Sequence, residues 1–302
     1  LLDAVIRRVY GFAIAAAMCT AASNAAARDV ALTHAGLTLG AALELAPGRT
    51  LADGAVVMVH GTMAHRNMDT LRHLRRLLHE KGHSTLSINL SLGRDRREGM
   101  FDCAWPNTHR AEDALVELGL WLDWLKREGA GRVTLLGFSR GGQQAAWFAA
   151  QAPPGALDAV VLLAPIVAGD PGARYGARFG APAEPLLERA RALQSAGKGS
   201  ELLRGVGFLN CERADVSADA FLSYYAPPPA SELVATLPRI AARVLVVVAG
   251  GDEIVPDLDK RIAPVANGRR VRVKVIPGAD HFFRDLYGED AMDAVDEFLH
   301  GR

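Results

Sequence analysis

Arg132-Val-Thr-Leu-Leu-Gly-Phe-Ser-Arg-Gly-Gly142 is the stretch on which the fold turns: an apolar run passes through Gly137-Phe138-Ser139-Arg140-Gly141 into the helix-forming Gln143-Gln-Ala-Ala-Trp-Phe-Ala-Ala150. Val133, Leu135 and Leu136 give the run the character of a buried strand, which puts Ser139 on a sharp turn between strand and helix. Such a turn strains the serine backbone and leaves no room for a Cβ two positions to either side. Gly137 and Gly141 fill those two places. The turn lifts the Ser139 hydroxyl clear of the sheet and sets the first amides of the helix where an oxyanion would form. A bare G-x-S-x-G pattern also occurs in ordinary strand-to-helix turns; the strand before it and the helix after it single this one out.

The 302 residues are half hydrophobic and carry 34 basic against 34 acidic side chains. That length suits one elaborated globular domain. Balanced, dispersed charge offers no basic face to a nucleic acid and argues against that class of partner. Residues 1–27 read as a secretion signal: Arg7-Arg8, an apolar stretch over 9–22, and Ala25-Ala26-Ala27 before Arg28. The stretch is short and alanine-rich for a membrane span, so no stable span is expected after cleavage, and the location expected is periplasmic or secreted. The competing reading is an amphipathic N-terminal helix or a retained anchor. Cleavage leaves Cys103 and Cys211. An even number of cysteines in an oxidising compartment predicts a disulfide, against the alternative of two thiols buried in separate pockets.

Upstream of the serine turn, Val30-Ala-Leu-Thr-His34 and Leu37-Thr-Leu-Gly-Ala-Ala-Leu-Glu-Leu45 read as a hairpin about Ala35-Gly36, and Ala55-Val-Val-Met-Val-His60 as a central strand. Leu71, Leu74, Leu77 and Leu78 recur at helical spacing over 67–81, and 85–90 is the next strand. The polar loop 91–107 carries Cys103 and a charge run, Arg94-Asp-Arg-Arg97, expected on a solvated surface. A helix over 109–128 follows, with Trp121 and Trp124 as packing beside its leucine stripe. Downstream, 159–164 is a strand, Pro165 breaks the alternation, and 169–237 read as a mainly helical insertion with helices at 185–195 and 218–225. Alternation resumes with strands at 243–249 and 271–276, a short helix at 258–265 and a closing helix over 282–300. This order predicts an α/β fold, a mostly parallel sheet of about eight strands with helices on both faces. Residues 28–168 and 238–302 would form its core, and 169–237 a cap.

The two late strands end in Gly250-Gly-Asp-Glu-Ile-Val-Pro256 and Pro277-Gly-Ala-Asp-His-Phe-Phe283, so an acid and an imidazole fall on the same sheet edge as Ser139. Together with His60-Gly61, these features stand in the order of the α/β-hydrolase superfamily, which the chain resembles over nearly all of residues 28–302. The resemblance implies a triad in which His281 takes the Ser139 proton and Asp252 holds the other ring nitrogen, with Glu253 and Asp280 as rival acids. It implies an oxyanion hole from the amides of Arg140 and Thr62, with Met63 the substitute for Thr62, and neither cofactor nor metal. His60 is expected to shape that loop rather than transfer protons. Arg140, large for its place, is expected either to reach an anionic or polar substrate group or to pair with a neighbouring loop. Phe221, Tyr224 and Tyr225 either line a partly apolar pocket or pack a helix face. A bonded Cys103–Cys211 pair would fasten the loop to the insertion as a fixed cap. The implied activity is that of an exported serine hydrolase cleaving carboxylic esters of small or medium acyl groups. Thioesterase, peptidase or amidase, and acyltransferase share the triad, and a non-catalytic binding protein on the same fold is the reading from another class.

Overall fold

The computed structural model describes residues 27–167, 169 and 171–301, so the expected secretion signal lies outside the described residues apart from its last residue. In chain order a hairpin, β1 (Arg28–His34) and β2 (Leu37–Glu44), precedes β3 (Ala55–Val59), α1 (Asp69–Glu80), β4 (Thr85–Ile88), α2 (Asp113–Arg127), β5 (Val133–Phe138), α3 (Arg140–Ala149) and β6 (Ala159–Leu163). Then come α4 (Pro171–Phe179), α5 (Glu184–Ser195), the hairpin β7 (Leu202–Phe208) and β8 (Cys211–Ser217), α6 (Ala218–Tyr225) and the single turn α7 (Leu233–Thr236). The chain returns through β9 (Arg243–Ala249), α8 (Leu258–Ile262), β10 (Val271–Ile276) and α9 (Leu286–Leu299).

Eight strands form one sheet in the order β1-β2-β4-β3-β5-β6-β9-β10. From β4 to β10 all neighbours are parallel; at one edge β2 runs against them, and β1, antiparallel to β2, returns to their direction. Strands apolar at every position suit this sheet because helices cover both faces. On one face Val57, Val59 and Leu135 pack with Leu118, Trp121 and Trp124 of α2 and Ala145 of α3. Val56, Met58 and Leu136 turn the other way, onto Leu71, Leu74 and Leu78 of α1 and Met292 and Phe298 of α9. Trp121 and Trp124 meet edge to face at 6.1 Å, so the tryptophans are packing.

Residues between β6 and β9 lie over the carboxyl ends of these strands and build a third core from Tyr175, Phe208, Phe221 and Tyr224, joined by Met63 and Phe101 from the loops below. This segment is not helical alone. β7 and β8 pair antiparallel with register shifts between Leu203 and Phe208, where Gly205 sits at φ +64°. Two glycines in β7 and the polar Glu212, Arg213 and Asp215 in β8 hide the alternation that marks a strand. The 91–107 loop docks on the hairpin: Asn107 N donates to Asp215 O at 2.8 Å, and Ser217 N to Asn107 O at 2.9 Å. Cys103 and Cys211 are disulfide-bonded across the same junction, 108 residues apart in sequence.

Two helices start later than their periodicity suggests. α9 begins at Leu286 rather than at Phe282, because Phe283 and Asp285 have φ of +49° and +54°, which no helix accommodates. α2 begins at Asp113, and His109 ahead of it turns into the cap core instead of forming helix.

Candidate active site

Ser139 occupies φ 55°, ψ −119°, a conformation that costs a side-chain-bearing residue on the order of 1–3 kcal/mol. Its surroundings hold it there. Ser139 N donates to Leu163 O at 2.9 Å, while Gly142 N and Ile166 N donate to its carbonyl. A Cβ on Gly137 would be driven into the Gly141 carbonyl oxygen, and one on Gly141 into that of His60. The two glycines are therefore required by close backbone approach.

The loops after β9 and β10 bring two side chains to this serine. His281 Nε2 lies 2.9 Å from Ser139 Oγ, and His281 Nδ1 lies 2.7 Å from Asp252 Oδ2. All three residues are less than a tenth exposed. Burial alone pushes the Asp252 carboxyl up, but the hydrogen bond with His281 and the amides of Val255 and Ile254, each donating to Oδ1 at 2.8 Å, outweigh it and hold the pKa below the ordinary value. An ionised Asp252 keeps the ring proton on Nδ1 and leaves Nε2 as acceptor for the serine hydroxyl. The rival acids lie elsewhere. Glu253 is exposed, and Asp280 is half-buried, accepting the Phe282 and Arg284 amides on Oδ1 and pairing with Arg284 on Oδ2.

The loop after β3 closes against the serine, the Ser139 Cβ lying 3.3 Å from where a Cβ of Gly61 would stand. Among the described residues no acceptor takes up the Thr62 or Arg140 amide. Thr62 lines the cavity above Ser139, whereas Met63 turns away with φ +54°, its side chain buried in the cap core and its carbonyl accepting from Phe101 N at 2.9 Å. His60 is 1% exposed. Its Nδ1 donates to Gly61 O, and its Nε2 accepts from Leu90 N at 3.1 Å and faces Arg97 Nη2 at 3.0 Å. Burial and the Arg97 charge push its pKa down to about 3, so it is a neutral brace for this loop.

Arg97 departs from the expected solvated charge run. It is buried, and its guanidinium donates to the carbonyls of Leu90 and Gly99 as well as facing His60, tying three loop segments together. Nothing in Arg94-Asp-Arg-Arg97 distinguishes the one inward arginine from its solvated neighbours.

Ser139 and His281 open into a cavity of about 420 Å³, lined by Phe138, Tyr224, Tyr225, Ile254 and Phe282 among others. Tyr224 and Tyr225 thus line the pocket, while Phe221 is wholly buried in the cap core. Among the described residues Arg140 pairs with no carboxylate; Nη1 donates to Gln143 Oε1 at 3.2 Å and Cζ lies 5.5 Å from the centre of the Tyr224 ring. At the opposite end of the sheet, His83, Asp296 and His300 bring potential ligand atoms within 4.8 Å of one another, although His300 Nδ1 already donates to the Asp296 carbonyl. Among the described residues no helix is long and apolar enough to cross a membrane.

The model of a family described as alpha/beta hydrolases matches residues 56–298. The chain belongs to that family. No curated protein matches the sequence. Among solved structures, this hydrolase superposes on Est1E from Butyrivibrio proteoclasticus with a TM-score of 0.66 at 17% identity, over 90% of this chain and 98% of the other. The monoacylglycerol lipase of Paleococcus ferrophilus gives 0.60 at 21% identity, over 86% and 98%. The esterase Pf2001 of Pyrococcus furiosus gives 0.59 at 17%, over 91% and 90%. At such identities the likeness is one of fold.

Proposed function

We propose that this alpha/beta hydrolase is an exported serine esterase that cleaves carboxylic esters of small or medium acyl groups through an acyl-enzyme. The observation that carries the reading is the continuous line from Asp252 through His281 to Ser139, at 2.7 and 2.9 Å, opening into the cavity. In the first half-reaction Ser139 Oγ attacks the ester carbonyl as its proton passes to His281 Nε2; the imidazolium then gives that proton to the departing alkoxide. In the second, His281 takes a proton from water as it attacks the acyl group, and the imidazolium returns that proton to Ser139 Oγ as the carboxylic acid leaves. Asp252 accepts the Nδ1 hydrogen bond throughout and stabilises the imidazolium. The amides of Thr62 and Arg140 receive the oxyanion, a contribution of roughly 2.7–4 kcal/mol per donor in comparable sites.

A cavity of about 420 Å³ suits a substrate of modest size. Ester chemistry is favoured by fold relatives named as an esterase and a monoacylglycerol lipase, and by Est1E, whose structure is also solved with ferulic acid bound. Export is supported by the bonded Cys103 and Cys211, since such bonds persist in oxidising compartments. The test is intact-mass detection of an uncharged fluorophosphonate on the folded protein, with Ser139→Ala as control, followed by ester panels. One adduct that disappears in the variant is expected; none on folded wild type, with no ester turned over, removes the reading.

A further inference from the structure

The cavity over Ser139 is asymmetric in charge. Arg140, Arg174 and Arg178 line it and, among the described residues, no aspartate or glutamate does, in a chain whose acids and bases balance overall. Arg140 stands deepest, next to the nucleophile. Among the described residues its guanidinium meets the Gln143 amide oxygen and the Tyr224 ring, and its Nε is buried with no partner. Arg174 and Arg178 stand one helical turn apart on α4, exposed at the mouth, with Arg178 over the ring of Phe179. Among the described residues none of the three has a carboxylate oxygen within ion-pair distance, whereas most other arginines of the fold do. Among the described residues Glu232 is the acid whose field reaches both Arg140 and Arg174.

A guanidinium does not shed its proton at neutral pH, so a half-buried one with no carboxylate in contact is costly. Arg140 and Arg174 line the same cavity, and the part of Arg174 that the cavity covers, with the Arg140 charge after it, holds the Arg174 pKa below its ordinary value. A carboxylate entering between them supplies the missing acceptor, and two planar forks hold it in a fixed direction. Elsewhere Tyr224, Tyr225, Phe282 and Ile254 give the cavity aromatic and aliphatic wall that suits an uncharged body.

We infer that the pocket selects esters that carry a free carboxylate, held by Arg140 and Arg174 with Arg178 at the entrance, while the ester carbonyl lies over Ser139. This rests on the serine esterase reading and names its substrate class. Arg174 and Arg178 act on specificity, and the reacting atoms remain those of Ser139 and His281.

The test compares two matched pairs of esters. In one the charge is on the acyl chain, nitrophenyl hydrogen glutarate against nitrophenyl valerate; in the other it is on the alcohol, the butyrate of hydroxybenzoate against the butyrate of cresol. The charged member of at least one pair is expected to have a kcat/KM roughly tenfold or more above its neutral partner, as a charge-assisted bidentate contact can provide. The ratio should fall toward unity in Arg174→Gln and further in the Arg174→Gln, Arg178→Gln double variant, and the KM of the charged ester should rise with salt. Neutral esters preferred in both pairs, or a ratio unmoved by either variant, overturns the inference. Fluorophosphonate labelling of the same wild-type sample separates the two readings, because labelled protein without anion preference leaves the esterase standing and removes only the carboxylate.

Discussion

The sulfur of Cys211 lies 4.0 Å from the thioether sulfur of Met63, so the bond to Cys103 bears directly on the residue that follows Thr62. The Phe101 amide, two residues before Cys103, reaches the Met63 carbonyl, and the disulfide and this hydrogen bond grip the loop from both sides. Opening the bond releases a loop of 108 residues, which the chain-entropy model values at about 4–5 kcal/mol. Reduction, or the Cys103→Ala, Cys211→Ala pair, is expected to lower Tm by roughly 10 °C in calorimetry. At a temperature where both forms stay folded, kcat should fall several-fold while KM changes less, because an oxyanion donor acts in the transition state. Equal kcat in both forms would show that the Met63 contact plays no part in placing the loop.

Asp252 and Asp280 are adjacent to the same histidine, one in space and one in sequence. Only Asp252 reaches the imidazole; Asp280 spends its oxygens on the amides of Phe282 and Arg284 and on the Arg284 guanidinium. Asp252→Asn keeps the shape but reverses the hydrogen bond and leaves His281 in the wrong tautomer, for an expected loss in kcat of about 10³–10⁴-fold. Asp280→Asn still offers an amide oxygen to the turn and should lose less than tenfold. Steady-state kinetics on one ester decides between them. The opposite ranking would falsify the assignment of the acid.

The sheet and the positions of Ser139, Asp252 and His281 were legible because their signals are local. Each central strand is a short apolar run closed by glycine or a polar loop, and each of the three residues follows such a run. The cap was less legible, since β7 and β8 are held by register-shifted pairing and by contacts with the 91–107 loop, neither of which leaves a period in the sequence. α4 carries a proline and two glycines in nine residues, which depress helix propensity and concealed the turn-spaced Arg174 and Arg178. Arg97 was hidden differently. Its burial depends on carbonyls of Leu90 and Gly99 that only the folded loop turns toward it.

His109 is 2% exposed among Phe101, Phe208 and Tyr224, and neither ring nitrogen has a partner among the described residues. Burial, with the charges of Arg97 and Arg94, pushes its pKa down from 6.5 to about 3. The unfolded chain therefore binds a proton that the native protein refuses, and the stability present above pH 6.5 is lost as pH falls toward 3. At pH 5 this costs about 2 kcal/mol relative to pH 8. His109→Phe removes the titration and fits an aromatic site, so its unfolding free energy relative to wild type should improve by about that amount from pH 8 to pH 5. A pH-independent difference would mean that the imidazole titrates in the fold as it does in the unfolded chain.

Glu117 on α2 has the opposite sign. It is 5% exposed, with Ser91 N donating to Oε2 at 2.8 Å and Ser91 Oγ to Oε1 at 2.5 Å, and it ties the start of the 91–107 loop to the helix. Burial raises its pKa from 4.5 to about 7 against those two hydrogen bonds and the Arg97 charge, with Asp113 adding repulsion. Between these values the native state binds more protons than the unfolded chain. The stability is then fully present below pH 4.5 and lost as pH rises through 7, by up to about 3 kcal/mol. Glu117→Gln keeps an oxygen acceptor for Ser91 and carries no charge at any pH. Its unfolding free energy relative to wild type should therefore rise by about 2–3 kcal/mol between pH 4.5 and pH 8 in urea titrations. Because each comparison is made at one pH, the His109 contribution cancels. A flat difference across that range would show that Glu117 is already ionised in its pocket and that Ser91 holds a carboxylate throughout.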